Sequence, residues 1–272
     1  MTSTLNIQRS HGGQCVRVTL NRPEVRNAFN EHVIAELRDA FVSLAADTSV
    51  RVVVLAAEGK AFCAGADLNW MKAMAGYTWE ENRADAQGLA DMLYAIYQCP
   101  VPVIARVQGD CYAGGMGLVS ACDVVVAADT VNFCLSEAKL GLLPATIAPY
   151  VVKAMGEQAA RRYFVTAERF DARRAERMGL VHECVAPEQL DDTVEALVQA
   201  VCANGPAAAK ACKQLVKDVA SQPVTDALRA ETARRIADIR ASSEGREGVS
   251  SFLEKRKPQW LNESGEQAAG VQ

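Results

Sequence analysis

Short apolar segments that each end in a turn of small residues constrain this sequence most. The clearest case lies within residues 106–144, where an apolar run over 101–107 leads into the turn Ala113-Gly-Gly-Met-Gly117. This order predicts a strand that enters a tight turn and then the N-terminus of a helix. Side chains are nearly absent over 113–115, so a ligand can approach the backbone closely. The free N–H groups of a helix start would stabilise negative charge on that ligand.

A carboxylate, Glu137, follows a second apolar run over 131–135. Backbone donors for a developing oxyanion and one acid/base group are the parts needed for proton transfer next to a carbonyl. A glycine pair after a strand also arises from close packing alone, so the pattern by itself leaves both interpretations open. The stretch lacks the G-x-G-x-x-G spacing of a dinucleotide site and the G-K-[ST] of a P-loop.

Composition narrows the class of protein. A chain of 272 residues, half of them hydrophobic, can bury a substantial core, and its net charge of −4 argues against bulk nucleic-acid binding. We find no apolar run near the ~20 residues of a membrane span and no secretory signal, so we expect no membrane association. The nine cysteines include no C-x-x-C pair, which predicts a reduced, cytoplasmic protein.

Apolar periodicity predicts an α/β core followed by helices alone. The predicted strands cover 16–20, 50–57, 101–107, 124–128, 131–135 and 180–185. The predicted helices cover 33–44 after an Asn30 cap, 79–97, 148–155, 159–166, 172–178, 207–220, 225–239 and 246–252. The break at Asn204-Gly-Pro206 divides the chain into an α/β core over 1–204 and a helical region over 205–261. The polar tail over 262–272 is predicted to be disordered.

Two small-residue turns after strands, with a Glu about twenty residues beyond the second, resemble the crotonase (enoyl-CoA hydratase/isomerase) family. The first turn is Cys63-Ala-Gly-Ala-Asp67 and the second is 113–117. The likeness extends to Asn21-Arg-Pro, Gly179-Leu-Val and Phe252-Leu-Glu-Lys-Arg256. The resemblance implies a ClpP-like spiral of strand–strand–helix (ββα) units with a helical C-terminal trimerisation region. It also implies a homotrimer or dimer of trimers that acts on acyl-CoA, with coenzyme A as part of the substrate rather than a cofactor.

The resemblance assigns site residues. The backbone N–H groups of Ala66 and Gly114 would form the oxyanion hole for the thioester oxygen, and Glu137 would be the acid/base. Fixed amides stabilise enolate charge most in the transition state. Coenzyme A would be contacted at its adenine and pantetheine end, near its phosphates, and from a neighbouring subunit. The adenine and pantetheine end would be lined by Ala64, Asp67 and Leu68, and Arg26 would lie near the phosphates. The contact from a neighbouring subunit would come from Phe252 and Lys255.

One position departs from the family pattern. Hydratases of this family that use two carboxylates carry their first Glu where this chain has Gly117. A single carboxylate can take a proton from one carbon and return it to another, which would make the chain an enoyl-CoA isomerase. A closer likeness, carried by Gly65-Ala-Asp-Leu-Asn-Trp-Met71 and by 133–137, points instead to the bacterial methylglutaconyl-CoA hydratase branch of leucine or acyclic-terpene breakdown. Members of that branch share the glycine.

Other functional classes are less well supported. A metallohydrolase needs clustered ligands, whereas His11, His32 and His182 are dispersed, so no metal site is predicted. A serine hydrolase needs G-x-S-x-G, which Ser120 lacks. A crotonase-like scaffold that binds acyl-CoA without turnover stays open, because loss of the first Glu is what it would predict. The sequence favours an enoyl-CoA hydratase, with isomerase as the alternative.

Overall fold

The computed structural model describes residues 3–261 and shows strands that alternate between two sheets. Within that range the first sheet has six strands and the second has four. The strands are β1 (Leu5–Ser10), β2 (Cys15–Leu20), β3 (Val52–Ala57), β4 (Ala61–Cys63), β5 (Val103–Val107), β6 (Asp110–Tyr112), β7 (Val124–Ala128), β8 (Asn132–Cys134), β9 (Phe170–Asp171) and β10 (Glu183–Val185).

The strand order shows how the chain winds. The larger sheet has the order β1-β2-β3-β5-β7-β10 and is parallel except between β1 and β2. The smaller sheet has the order β4-β6-β8-β9, with β4, β6 and β8 parallel. Each of β3, β5 and β7 is therefore followed at once by a strand of the other sheet. This repetition of strand–strand–helix units confirms the predicted fold class.

Helices follow the strand pairs and then make up the whole C-terminal region to residue 253. They are α1 (Glu31–Ala46), α2 (Leu68–Met74), α3 (Trp79–Gln98), α4 (Gly114–Ala121), α5 (Ala148–Met155), α6 (Glu157–Thr166), α7 (Ala172–Arg177), α8 (Leu190–Ala203), α9 (Pro206–Val219), α10 (Asp226–Ala241) and α11 (Ser243–Leu253). The predicted cap is confirmed, because the Asn30 side chain accepts a hydrogen bond from the Val33 amide at 3.0 Å.

The core lies between the large sheet and the helices. All six residues of β3 are buried, as expected for a parallel strand covered on both faces. Phe41 of α1 and Leu93 of α3 are fully buried, which stabilises the fold by about 1.5–3 kcal/mol for each such side chain. This packing holds the ends of the smaller sheet's strands in place.

Several elements differ from the sequence-based expectation. The prediction missed β1, β4, β6 and β9, and it also missed α2 and α8. The strands β4 and β6 have three residues each, too few to show an alternating pattern. Both lead directly into the small-residue turns, so the missed strands are the ones that position the candidate site.

The C-terminal helices begin at the predicted break. The carboxylate of Glu244 in α11 accepts hydrogen bonds from the amides of Ala207 and Ala208 at 2.9 and 2.8 Å, which caps α9. Phe252 and Leu253 are 82% and 73% exposed.

The division into domains and the trimer both stay predictions, and the tail over 262–272 lies outside the described residues. No helix within 3–261 is long and apolar enough to cross a membrane.

Candidate active site

The three residues predicted to carry the chemistry follow three neighbouring strand ends. Strands β4, β6 and β8 are parallel and adjacent, so their carboxyl ends meet at one edge of the smaller sheet. Ala66, Gly114 and Glu137 come three, two and three residues after those strands. The Ala113 amide donates to the Cys134 carbonyl at 2.8 Å, which joins the second turn to the segment leading to Glu137. The structure thus brings all three to one place.

The first turn leaves the Ala66 amide free to donate. The Phe29 amide donates to Gly65 O, and the Asp67 amide donates to Phe29 O, both at 2.7 Å. In such a parallel bridge the middle residue, Ala66, directs its own N–H away from the partner. Within residues 3–261 that N–H has no protein acceptor. Gly65 has φ of +96°, a conformation that glycine adopts without strain.

The second turn presents the amide of Gly114. This residue opens α4, and the first N–H groups of a helix have no partner within the helix. A Cβ on Gly114 would lie 2.7 Å from Cε2 of Phe29, so only glycine fits there. The preceding residue, Ala113, has φ of 48° and ψ of −120°, which is strained for a residue with a side chain. Strain of about 1–3 kcal/mol is characteristic of functional turns.

Glu137 supplies the only acid/base group predicted for this edge. It begins a short 3₁₀ turn over Glu137–Leu140, and its Oε2 atom is buried with no hydrogen-bond partner among the described residues. Burial raises the pKa of the Glu137 carboxyl above its ordinary 4.5, and a hydrogen bond from its own amide only partly offsets this. Phe133 and Leu135 before it are fully buried, whereas Leu140 and Leu142 after it are more than half exposed.

Position 117 is packed rather than open. A Cβ built on Gly117 would lie 2.9 Å from Cβ of Ile147 and 3.3 Å from Cδ2 of Leu93, with Cγ2 of Ile147 closer still. Ile147 is itself 2% exposed, so it has little room to move away. A second carboxylate could not be added at position 117 without repacking. The departure from the family pattern is therefore built into the core.

Three of the predicted coenzyme A residues adjoin the first turn. The Ala64 amide donates to the Arg26 carbonyl at 3.0 Å, so these two residues are neighbours. Arg26 is exposed, and no carboxylate within residues 3–261 lies within salt-bridge distance of its guanidinium. Leu68, at the start of α2, is 74% exposed. A cation and an apolar side chain are thus available beside Ala66, although their contact with coenzyme A stays a prediction.

The side chain of Asp67 has a structural partner instead. Its carboxylate accepts from the Asn69 amide at 2.8 Å and from Arg22 at 2.9 Å. Burial acts to raise the pKa of Asp67, but these hydrogen bonds and the Arg22 charge outweigh it, so the pKa is lowered. Phe252 and Lys255 lie at the end of the C-terminal helices. Their contact with coenzyme A from a neighbouring subunit stays a prediction.

Sequence reasoning missed three residues that shape the site. Arg22 was visible only as part of a motif with no role assigned, and neither Phe29 nor Ile147 carried a local signal. Within residues 3–261 no group of three or more metal-ligating side chains occurs. His182 accepts a hydrogen bond from the Val125 amide at 3.0 Å through Nδ1, which gives it a structural partner.

Known proteins match this chain over nearly its full length. The sequence profile of the Enoyl-CoA hydratase/isomerase family matches residues 11–263. A mevalonyl-coenzyme A hydratase of Aspergillus fumigatus is 34% identical over 249 residues, covering 89% of this chain and 90% of that protein.

Solved structures of the same family have a similar fold. A Legionella pneumophila protein assigned to the enoyl-CoA hydratase/isomerase (crotonase) group is 43% identical, with a TM-score of 0.91, covering 96% of this chain and 100% of that one. An enoyl-CoA hydratase from Shewanella pealeana is 38% identical, with a TM-score of 0.90, covering 94% of this chain and 96% of that one. The profile, the relatives and the shared fold agree over the same residues, and the chain therefore belongs to the enoyl-CoA hydratase/isomerase family.

Proposed function

We propose that this chain adds water across the 2,3 double bond of an enoyl-CoA. The observation that carries the proposal is the pair of amides at Ala66 and Gly114, which have no protein acceptor within residues 3–261, near the half-buried carboxyl of Glu137. The hydratases among the relatives support the same reaction. The substrate is an acyl-CoA thioester, and coenzyme A enters as part of it.

The geometry suggests how a single carboxylate could catalyse hydration. The thioester oxygen would accept hydrogen bonds from Ala66 and Gly114, which stabilise the enolate that forms when water adds to C3. Glu137 would take a proton from that water and return it to C2, so that one water is added and Glu137 regains its starting state. A raised pKa brings the carboxyl closer to neutral pH, where it can both accept and donate.

Isomerisation is the alternative, and the packing at Gly117 is what favours it. Ile147 and Leu93 leave an apolar surface where hydratases with two carboxylates place their first Glu. In an isomerase, Glu137 would take a proton from C2 of a 3-enoyl-CoA and return it to C4. The same two amides would stabilise the dienolate between these steps.

A methylglutaconyl group is the finer substrate proposal, supported by the likeness at 65–71. Its second carboxylate would need a cation or a hydrogen-bond donor as its partner. The exposed Phe252 and Leu253 are consistent with the proposed trimer, because large apolar side chains favour contact with another surface. A cytoplasmic location remains part of the proposal.

Turnover of three substrates, followed by mass spectrometry, tests the proposal. Crotonyl-CoA, 3-methylglutaconyl-CoA and a 3-enoyl-CoA would each be incubated with the protein. A gain of one water on either 2-enoyl substrate supports hydration. An unchanged mass with a moved double bond in the 3-enoyl substrate, and no hydration of the others, would establish the isomerase instead. Binding of all three without reaction would favour a non-catalytic acyl-CoA-binding scaffold.

A further inference from the structure

One residue contacts both turns of the candidate oxyanion hole. The backbone of Phe29 pairs with the first turn, through its amide to Gly65 O and its carbonyl from the Asp67 amide. Its ring lies against the second turn, where a Cβ on Gly114 would meet ring atoms Cε2 and Cδ2 at 2.7 and 2.9 Å. Phe29 therefore bridges the turn that carries the Ala66 amide and the turn that carries the Gly114 amide.

The segment that carries Phe29 is itself fixed. Arg22 donates from Nη1 to the Ala28 carbonyl at 2.8 Å and from Nη2 to the Asp67 carboxylate at 2.9 Å. A planar guanidinium that bonds two segments at once holds them at a set distance. Phe29 is 1% exposed and the Arg22 side chain is 19% exposed, so neither has room to move freely.

We propose that Phe29 is a positioning residue that sets the spacing of the Ala66 and Gly114 amides, with Arg22 holding its segment in place. The inference rests on the proposed function, because it takes these amides to be the oxyanion donors. Donors act on the transition state only when they lie at hydrogen-bond distance from the oxyanion, and small displacements are costly to the rate. Phe29 contacts the two turns that carry the donors.

The variant Phe29→Leu separates this role from a general packing role. Leucine keeps the backbone bridge to Gly65 and Asp67 but removes the ring edge that lies against Gly114. We expect kcat to fall about 10- to 100-fold while KM changes little, since the oxyanion charge develops in the transition state. Phe41→Leu is the matched control, because Phe41 is equally buried but lies on α1. It should lose similar stability and keep kcat within about twofold.

Infrared spectroscopy of a bound thioester reads the two amides without turnover. A saturated acyl-CoA with a ¹³C carbonyl would be bound to wild type and to both variants. We expect the carbonyl frequency to fall on binding to wild type and to Phe41→Leu, and to fall less on binding to Phe29→Leu. No fall in wild type would overturn the oxyanion assignment itself. An equal fall in wild type and Phe29→Leu would overturn only the role of Phe29.

The reciprocal variant tests the same contact from the other side. Gly114→Ala places a methyl group against the Phe29 ring, so it should also lower kcat and reduce the carbonyl shift. In Gly114→Ala/Phe29→Leu the ring edge is absent, and the combined loss should be clearly smaller than the product of the single losses. Strictly multiplicative losses would contradict the proposal. If Phe29→Leu fails to fold, as circular dichroism would show, the kcat and carbonyl shift of Gly114→Ala decide alone.

Discussion

The two sides of the candidate oxyanion hole differ in chemistry although they follow neighbouring strands, β6 and β8. On one side Glu137 carries a carboxyl whose buried Oε2 has no hydrogen-bond partner in the described part of the chain. On the other side Gly117 is closed over by Ile147 and Leu93. One side therefore presents a titratable group, and the other presents an apolar surface. From this difference we expect Glu137 to carry the transferred proton in either of the two proposed reactions.

Replacing Glu137, on the acidic side, should have the largest effect on kcat. We expect Glu137→Gln to lower kcat at least ~1,000-fold, because the amide keeps the shape of the carboxyl but cannot accept the proton. Binding of a saturated acyl-CoA, measured by calorimetry, should be unchanged. Glu157→Gln is the matched control, since that side chain is 80% exposed on α6. Retention of more than a tenth of wild-type kcat in Glu137→Gln would mean that another group moves the proton.

Substitutions on the apolar side, at Gly117, should lower the free energy of unfolding more than they lower kcat. Gly117→Ala would place a methyl group against Ile147, and such overpacking costs about 1–3 kcal/mol in the free energy of unfolding. Urea titrations of Gly117→Ala, Ile147→Ala and the double variant would measure this. The double variant should be less destabilised than the sum of the two, because the smaller side chain relieves part of the crowding.

A helix glycine without such contacts provides the control for that series. A Cβ on Gly88 of α3 would meet nothing closer than Ile34 at 4.0 Å. Gly88→Ala should therefore stabilise the protein by roughly 0.5–1 kcal/mol through helix propensity. A Gly117→Ala variant as stable as Gly88→Ala would show that position 117 has room, and the contrast between the two sides would fail.

Local signals were enough to identify the second small-residue turn and the carboxylate beyond it. The run of small residues at 113–117 predicts a helix start, and Gly114 is indeed the first residue of α4. Glu137 stands out as a carboxylate directly after an apolar run, and burial raises the pKa of its carboxyl. The Asn30 cap and the bounds of β7 and α5 could also be predicted, because caps and continuous apolar runs depend on neighbouring residues.

Contacts between distant parts of the chain could not be predicted in this way. The Ala66 amide has no acceptor among residues 3–261 because Phe29, far earlier in the sequence, bonds to the residues on either side of it. Position 117 is closed because Ile147, thirty residues later, packs against it. The carboxylate of Asp67 pairs with Arg22, 45 residues earlier in the chain. None of these partners lies within the short window in which periodicity and turn chemistry operate.

The pH dependence should show the burial of Glu137. A raised pKa means that the carboxylate needed as the base is lost at a higher pH than in an exposed Glu, so the acid limb of kcat/KM should lie above pH 4.5. Because the folded pKa exceeds the unfolded one, ionisation of Glu137 disfavours the folded state as pH rises through these values. Glu137→Gln should then be more stable than wild type at neutral pH, and this gain should vanish below about pH 4. An acid limb at or below 4.5 would contradict this.

Substitution of Arg26, where coenzyme A is predicted to bind, should have the smallest effect, because this charge is exposed. Arg26→Gln should raise KM about 2- to 5-fold at low salt and less at high salt, as expected for one solvated ion pair with a phosphate. A pantetheine thioester, which lacks the nucleotide, should show no difference between wild type and variant. Arg38→Gln, an exposed arginine on α1, is the control. An equal effect on both substrates would place Arg26 elsewhere in the binding site.

Deuterium uptake at C2 of 3-hydroxybutyryl-CoA in D₂O tests the central claim most directly. Reversible dehydration removes one C2 proton and rehydration returns one from the group that holds it. With Glu137 as the only proton carrier, wild type should incorporate a single deuteron at C2, and Glu137→Gln should incorporate none on the same timescale. Exchange by Glu137→Gln at a rate near that of wild type would contradict the account, because a second group would then have to reach C2.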